Sequence, residues 1–142
     1  MTDVVVKNFS RAASVDREKV ASLVADVGAR LSVDGGCSVV FVSDERMRGY
    51  NRRYRAKDGT TDVLSFPAGS AGYFGDIVIS MPQMLSQAHD AGRPAAEEAR
   101  HLIVHGFLHL LGYDHETDDG EMRRLETRLM RDLPPRRLIR AR

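Results

Sequence analysis

With 142 residues, 42% of them apolar, and a formal net charge of +1, the chain has enough apolar material for one packed domain and lacks the polar, highly charged composition typical of disordered proteins. Its one cysteine, Cys37, excludes an intramolecular disulfide and a metal site built from several thiolates. The N-terminus has no signal-peptide pattern and no stretch approaches the ~20 apolar residues of a membrane span, so we expect a soluble, cytoplasmic protein.

The first third of the chain is predicted to contain a strand, a helix and a second strand. Three consecutive β-branched residues favour a strand at 4–9. A helix is predicted from about Asp16, because apolar residues recur at helical spacing on one face. They are Val20, Leu23, Val24, Val27 and Leu31. A turn at 34–36, which contains two glycines, separates this helix from a strand at 38–43.

The middle of the chain is predicted to contain one more helix and two more strands. The helix over 44–54 places Met47, Tyr50 and Tyr54 on its inward face. After an Asp-Gly turn at 58–59, a strand at 61–66 is expected to stop at the proline that follows it. A loop with three glycines (69–75) then leads to a fourth strand at 76–80.

Three helices are predicted in the last part of the chain. The first begins near Pro82 and ends at Gly92, and the second, which is long, opens at Pro94. Asp118 and Glu121 have the spacing of a capping box, which predicts the start of the last helix.

The order of these elements indicates an α+β fold in which about five helices surround a small, four-stranded mixed sheet. No internal repeat and no second domain is evident, so we expect a single hydrolase domain over 1–142. The segment after the two prolines at 134–135 is rich in arginine and is expected to be a loose basic tail.

The eleven residues 105–115 read H-G-F-L-H-L-L-G-Y-D-H and contain three histidines in a metal-binding pattern. His105 and His109 are four residues apart and so share one face of the predicted helix. Gly112 can adopt the left-handed conformation that ends a helix, and the reversed chain can bring His115 beside the other two. Three imidazoles around a zinc ion leave its fourth tetrahedral position for water, as in catalytic zinc sites.

His101 lies one turn before His105 and competes with this assignment. Helix rise separates His101 from His109 by about 12 Å, too far for both to bind one ion at about 2.0–2.1 Å. Since a glycine turn and His115 follow His109, the pair of His105 and His109 is favoured, and His101 is expected to pack or to support a ligand. His89 has no partner at useful spacing and is expected on the surface.

Gly106 occupies the position that carries the general-base glutamate in the H-E-x-x-H helix of zinc peptidases. A glycine inside a helix costs about 1 kcal/mol relative to alanine. We therefore expect that something requires this space, either the reaction above the metal or the close packing of another backbone.

The 105–115 run resembles the signature of the YbeY family, which comprises bacterial metal-dependent endoribonucleases of ribosomal RNA maturation. The resemblance continues in Y-N-R-R-Y-R-A-K-D-G-T-T-D-V-L-S-F-P (50–67) and in G-D-I-V-I-S (75–80), and it covers the chain from about 39 to 129. Both long motifs are specific, and no metal-ligand position departs from the family pattern.

The resemblance implies one zinc ion held by His105, His109 and His115, and a functional arginine at Arg55. The implied activity is cleavage of single-stranded RNA, in maturation of the 3′ end of small-subunit (16S) ribosomal RNA and in ribosome quality control. The implied partners are the ribosomal RNA precursor and the small ribosomal subunit or its proteins.

Basic residues are dense between positions 46 and 57, and most are expected to form a solvated helix face. They are Arg46, Arg48, Arg52, Arg53, Arg55 and Lys57. Arg55 differs because it lies where the helix gives way to the turn at 58–59 and can point across the sheet. A guanidinium can bind two phosphate oxygens and stabilise charge that develops on a phosphorane, which favours phosphodiester hydrolysis by water activated at zinc.

Three acidic residues, Asp62, Asp76 and Asp114, are candidates to orient an imidazole or the water, although each also suits a turn or a cap. The basic tail either adds salt-dependent RNA affinity or only keeps the end of the chain soluble. Its arginines are Arg136, Arg137, Arg140 and Arg142.

Two other functions stay open on the residues alone. One is a metallohydrolase of another substrate class, such as a peptidase, although the missing glutamate at Gly106 argues against it. The other is a non-catalytic ribosome assembly factor in which zinc only stabilises the fold.

Overall fold

The structure is a computed structural model that describes residues 2–55, 59 and 61–141. In chain order the elements are β1 (Thr2–Asn8), β2 (Ala13–Val15), α1 (Arg17–Arg30), β3 (Gly35–Val42), α2 (Asp44–Arg55), β4 (Val63–Ser70), β5 (Tyr73–Ser80), α3 (Met81–Ala91), α4 (Ala95–Leu110), α5 (Glu121–Asp132) and β6 (Ile139–Ala141). Three residues of the sequence analysis lie outside the described part of the chain, namely Lys57, Asp58 of the predicted turn, and Arg142.

The central sheet has the strand order β1-β3-β5-β4, with β1, β3 and β5 parallel and β4 antiparallel to β5. A separate antiparallel ribbon pairs β2 with β6. Within the described residues there are five helices, so the predicted α+β fold with a four-stranded mixed sheet is confirmed. None of these helices is both long enough and apolar enough to cross a membrane.

The two faces of the sheet are covered to different extents. On one face, apolar side chains of the strands pack with α1 and α4 into the main core, which contains Val39, Phe41 and Ile77. On the other face, α2 covers a small cluster around Met47 and Val78. We call the first the helix-covered face and the second the open face, because much of the second stays accessible beside α2.

α4 is the central helix of the fold. It contacts α1, α3 and α5 on different sides, and it also contacts β4, β5 and β6. Most residues of its middle turns are buried. Because apolar contacts surround the helix, its rotation is fixed, and with it the direction of every polar side chain that it carries.

The predicted turn at 34–36 is wrong. The turn lies at 31–32, and Gly35 and Gly36 already belong to β3. These glycines are required by close packing rather than by a turn, since a Cβ on Gly35 would lie 3.0 Å from the Phe74 ring and one on Gly36 3.2 Å from the Tyr73 ring.

The prediction that Pro67 stops its strand is wrong, and so is the predicted glycine loop after it. β4 continues through Pro67 to Ser70 and forms a hairpin with β5. A proline is tolerated because β4 is an edge strand with an irregular register beyond Pro67. Gly75, at φ 136°, lies within β5, where a Cβ would stand 2.2 Å from the carbonyl oxygen of Phe66.

Two helix predictions need correction in detail. α5 begins at Glu121, after Gly120, and not at a capping box, although the Asp118 carboxylate still accepts the N–H of Met122 at 2.9 Å. In α2, Met47 is buried as predicted, but Tyr54 is 58% exposed. Tyr54 lies at the last turn of α2, at the margin of the region that this helix covers.

The C-terminal segment was expected to be loose, and up to residue 141 this is wrong. Ile139–Ala141 pairs with β2, Leu138 and Ile139 are buried, and Arg136 forms an ion pair with Asp26. Although the segment is rich in arginine, its two apolar side chains, Leu138 and Ile139, are buried in the core.

Candidate metal centre

His105 and His109 lie on one side of the last turns of α4. The residues between them on the opposite side, Phe107 and Leu108, are fully buried in the core. Since those apolar contacts fix the rotation of the helix, both imidazoles face a cleft at the carboxyl end of α4.

After α4 the chain reverses and returns the third histidine to the first two. Gly112 has φ 99°, in the left-handed region, and the N–H of Tyr113 donates to a carbonyl in the last turn of α4 at 3.1 Å. The next turn is closed by the Asp114 carboxylate, which accepts the N–H of Glu116 at 3.0 Å. As a result, the ring centre of His115 lies 5.3 Å from those of both helical histidines.

The ring nitrogens lie close enough together for the three histidines to hold one metal ion. Each of the three histidines offers one nitrogen, and these atoms lie within 4.8 Å of one another. The Nε2 atoms of His105 and His109 are 3.2 Å apart. Two nitrogens bound to zinc at about 2.0–2.1 Å in a tetrahedron would be roughly 3.3–3.4 Å apart, so this pair needs almost no rearrangement.

Hydrogen bonds determine which nitrogen each helical ring presents. Nδ1 of His109 is 2.9 Å from the carbonyl oxygen of Tyr113, which can only accept, so Nδ1 carries the proton. Nδ1 of His105 is 3.3 Å from Oε2 of Glu126. With both protons held on Nδ1, the two Nε2 lone pairs face each other, an arrangement that a shared cation explains.

Glu126 links the histidines of α4 to α5, and it is not among the residues predicted from the sequence. Besides its contact with His105, its Oε1 lies 2.6 Å from Nε2 of His101. His101 therefore contacts Glu126 and, as expected, stays apart from the histidine trio. The sequence did contain a sign that Glu126 is buried. It lies four residues after Met122 and three before Leu129, and this helical spacing places it on the buried stripe of α5.

The pKa shifts suit a neutral ring at His109 and a charged carboxylate at Glu126. Burial, followed by the charge of His105, lowers the pKa of His109, which favours the neutral ring that a metal requires. Burial raises the pKa of the Glu126 carboxyl, but the hydrogen bonds from His101 and His105 outweigh this effect, and the pKa falls to about 2. The hydrogen bond to Glu126 raises the pKa of His101, against the opposing effect of burial.

Arg55 lies in the same cleft as the three histidines. The cleft has a volume of about 430 Å³ and is lined by the last residue of α2, by residues 61–65 and Pro67, and by the turn after α4. The histidines and Arg55, which are fifty or more residues apart in the chain, thus share one surface. Ser65 and Thr61 also line it, and the sequence analysis had not singled them out.

The three candidate aspartates divide between two places. Asp62 and Asp114 line the cleft, where each also accepts a nearby backbone N–H, from Val63 at 2.8 Å and from Glu116 at 3.0 Å. Asp76 lies on the open face of the sheet, bonded to side chains of that face. The structure therefore removes Asp76 from the candidates for this site.

Gly106 packs against the sheet, which corrects both expectations for it. A Cβ at this position would lie 2.8 Å from Cγ2 of Ile77 and 3.2 Å from Oγ of Ser65. The Ser65 hydroxyl also donates to the Gly106 carbonyl at 3.0 Å. The helix therefore needs glycine because side chains of β4 and β5, rather than a reacting group or another backbone, occupy the space beside it.

Comparisons with known proteins identify the family of the chain. The family model described as "Endoribonuclease YbeY" matches residues 6–134. A protein of that name from Koribacter versatilis is 44% identical over 117 residues, which are 82% of this chain and 77% of its own. One from Campylobacter fetus is 44% identical over 123 residues, or 84% of this chain and 89% of its own.

A solved structure also resembles the fold. The solution structure of a Thermotoga maritima protein matches with a TM-score of 0.67, at 23% identity, and the match covers 89% of this chain and 86% of that one. At this identity the likeness supports the arrangement of helices and strands and carries no conclusion about chemistry.

Proposed function

Since the chain belongs to the YbeY endoribonuclease family, we propose that it is a zinc-dependent endoribonuclease that cuts single-stranded RNA. Its substrate would be the 3′ end of the 16S ribosomal RNA precursor, and its partners the small ribosomal subunit or its proteins, in rRNA maturation and ribosome quality control. We propose that it acts in the cytoplasm. The observation that carries the proposal is a trio of converging imidazoles that shares one cleft with Arg55.

We assign His105, His109 and His115 as the ligands of one zinc ion per chain. When bound, the ion supplies Lewis-acid polarisation of a phosphoryl group and of water. Glu126 and the carbonyl of Tyr113 hold the two helical rings with Nε2 directed into the cleft. Such hydrogen bonds to the second nitrogen fix the tautomer and the orientation of a ligand ring.

Arg55 is proposed to bind the non-bridging oxygens of the scissile phosphate. It ends α2, its side chain is exposed, and it lines the cleft that holds the histidines. A guanidinium forms two parallel hydrogen bonds with a phosphate and stabilises the extra charge of a pentacoordinate transition state. The arginine therefore positions the phosphate in the ground state and lowers the barrier in the transition state.

The cleft favours a flexible strand over a duplex. His105 and His109 are partly buried, and the walls of the cleft are β4 on one side and the turn after α4 on the other. To reach these rings a phosphodiester must enter between the walls, and the backbone of an unpaired strand can bend to do so. A base-paired helix presents a stiffer and wider backbone.

The decisive experiment pairs two arginines of α2. Zinc-loaded wild type should cut a single-stranded RNA that carries the 16S 3′-end precursor sequence, and a chelator should stop the reaction. Arg55→Glu should lower the rate at least 100-fold with unchanged zinc content, because a removed transition-state donor costs about 10²–10³ in rate. Arg48→Glu changes the same charge on an exposed residue that does not line the cleft, and it should cut normally.

Two outcomes would contradict the proposal. Cleavage of peptides instead of RNA, abolished by His109→Ala, would make the protein a peptidase. Zinc-dependent folding with binding to small-subunit particles, but no RNA cleavage, would make it an assembly factor in which the metal is structural. The His109→Ala preparation also controls for contaminating nucleases.

A further inference from the structure

The open face of the sheet carries a second groove, separate from the metal cleft. It has a volume of about 460 Å³, its floor contains Val40 and Val78, and aromatic rings line it. The rings are those of Phe9, Tyr50, Tyr54 and Phe66. We call this surface the aromatic groove. Nothing in the proposed hydrolytic site uses it.

Its aromatic rings are assembled in advance, and two of them are exposed. The ring of Tyr54 stands edge-on to Phe66 at 5.2 Å between centroids and is stacked with Tyr50 at 6.2 Å. Tyr54 is 58% exposed and Phe9 is 56% exposed, and they rank among the few large apolar side chains so placed in the described residues. Such rings offer flat faces on which a planar ligand can stack.

The charges around the groove favour a ligand that is both planar and anionic. The guanidinium of Arg46 lies 5.1 Å from the Phe9 ring, and that of Arg53 lies 5.8 Å from the Tyr54 ring. Lys7 lines the groove as well. Three cations beside aromatic faces are complementary to the bases and phosphates of a single strand, because bases stack on rings while phosphates pair with Lys and Arg.

One carboxylate lies among these groups. Oδ1 of Asp76 accepts hydrogen bonds from the hydroxyls of Ser38 and Tyr73, each at 2.5 Å. A carboxylate fixed in this way repels phosphate, but it can accept an N–H from the edge of a base. Bases would therefore bind on the sheet, in the middle of the groove, while the cations at its rim would pair with the phosphates of the RNA backbone.

We propose that the aromatic groove binds unpaired bases of the RNA that flank the cleaved phosphodiester. The inference rests on the proposed function, and it assigns a base-binding site to the substrate strand. Two pairs of consecutive residues connect the sites: Arg55 and Ser65 line the metal cleft, while their neighbours Tyr54 and Phe66 line the groove. One strand that passes around the edge of the sheet at β4 can therefore occupy both.

The test measures binding apart from cleavage. Zinc-loaded full-length protein is titrated into a fluorescein-labelled single-stranded RNA with phosphorothioate linkages, and a gel confirms that the RNA stays intact. Tyr54→Ala and Phe9→Ala should each weaken binding about 5- to 100-fold, as expected for one lost base stack. Tyr54→Phe keeps the ring and should bind within about 2-fold of wild type.

A matched control and a direct contact measurement complete the test. Val5 is 54% exposed on the same face but does not line the groove, so Val5→Ala should bind RNA normally. RNA that contains 5-iodouridine, irradiated on the wild-type protein, should cross-link to Tyr54 or Phe9. This second readout does not depend on how the alanine variants fold.

The results separate this inference from the nuclease assignment. If wild type cuts no RNA, yet Tyr54→Ala weakens binding and the cross-links map to the groove, the groove stands and the nuclease assignment fails. If wild type cuts RNA while both alanine variants bind normally and no cross-link reaches the groove, the inference is overturned. In that case the open face of the sheet would be assigned to binding a protein partner instead of RNA.

Discussion

The first half of α4 carries Glu98 and Arg100, and the second half carries His105 and His109. Both halves bury polar side chains, but they differ in whether the protein itself supplies the partners of those side chains. In the first half, Glu98 pairs with Arg93 at 2.9 Å, and Arg100 pairs with Glu97 at 3.1 Å. The buried Arg100 also donates to carbonyl oxygens of Met130 and Leu133 at the end of α5. The chain itself supplies an ion-pair partner for each of these charges, although among the described residues Nε of Arg100 has no hydrogen-bond acceptor.

In the second half the chain supplies only part of what the side chains need. His105 and His109 have acceptors at Nδ1, whereas their Nε2 atoms lie 3.2 Å apart and face His115 across the cleft. This contrast distinguishes structural from functional polar groups on one helix. Groups completed by the protein hold the fold together, while converging lone pairs indicate a ligand from outside.

The largest expected effect is loss of zinc from the second half. In wild type, zinc at 1,000 times its dissociation constant should stabilise the fold by about 4 kcal/mol. His109→Ala should abolish most of this gain, measured as the zinc-dependent shift in urea denaturation, and leave the stability of the zinc-free protein nearly unchanged. His89→Ala removes an exposed histidine and should respond to zinc like wild type. An unchanged zinc response of His109→Ala would remove that histidine from the metal site.

The reciprocal experiment targets the first half. Arg100→Met should lower the free energy of unfolding by about 3 kcal/mol, because the buried α5 carbonyls lose a charged donor. Zinc stoichiometry should stay at that of wild type. Arg123→Met, on the exposed side of α5, should change stability by less than about 0.5 kcal/mol. If Arg100→Met lost zinc without losing stability, the division between the halves would be wrong.

Glu126 of α5 contacts both His101 and His105 and so connects the two halves of α4. Glu126→Gln removes the negative charge that faces Nδ1 of His105, so zinc affinity should fall about 10- to 100-fold, as for other partners of ligand histidines. Competition with a chromogenic chelator measures the change. Glu121→Gln, which alters an exposed residue on the same helix, should bind zinc normally. Equal affinities for the two variants would show that the carboxylate does not support the site.

The smallest effect concerns the packing that orients α4. Gly106→Ala should destabilise the protein by about 1 kcal/mol, because overpacking costs 1–3 kcal/mol and alanine returns about 1 kcal/mol of helix propensity. Gly49→Ala is the matched control, since a Cβ there meets nothing within 4 Å, and it should stabilise the protein by up to about 1 kcal/mol. Thermal denaturation of both variants measures these changes. If Gly106→Ala stabilised the protein, the side chain of Ile77 would be able to move away from the new Cβ at little cost in energy.

The sequence predicted elements well where the signal was local. α1 follows Asp16, whose carboxylate accepts the N–H of Lys19, and its buried face matches the predicted one through Val27. α3 stops before Gly92, as predicted, and this glycine has the left-handed conformation. These features depend on residues within one or two helical turns, so spacing alone identifies them.

Predictions failed where a distant segment decided the outcome. Pro67 continues a strand because β4 lies at the edge of the sheet, and the C-terminal segment is ordered because β2, more than a hundred residues earlier, pairs with it. Likewise, Gly35 and Gly36 lie in a strand because they pair with β1, and Gly36 also pairs with β5. In each case local propensity was overridden by tertiary contact.

By itself, the sequence determined that two histidines share a helix face and that a glycine turn can return a third, since these relations span only eleven residues. Tertiary structure alone decided what surrounds them: Glu126 behind His105, Arg55 across the cleft, and Ile77 against Gly106. The physical reason is that helix geometry fixes positions over a few residues. Contacts between distant segments form only when the whole core packs.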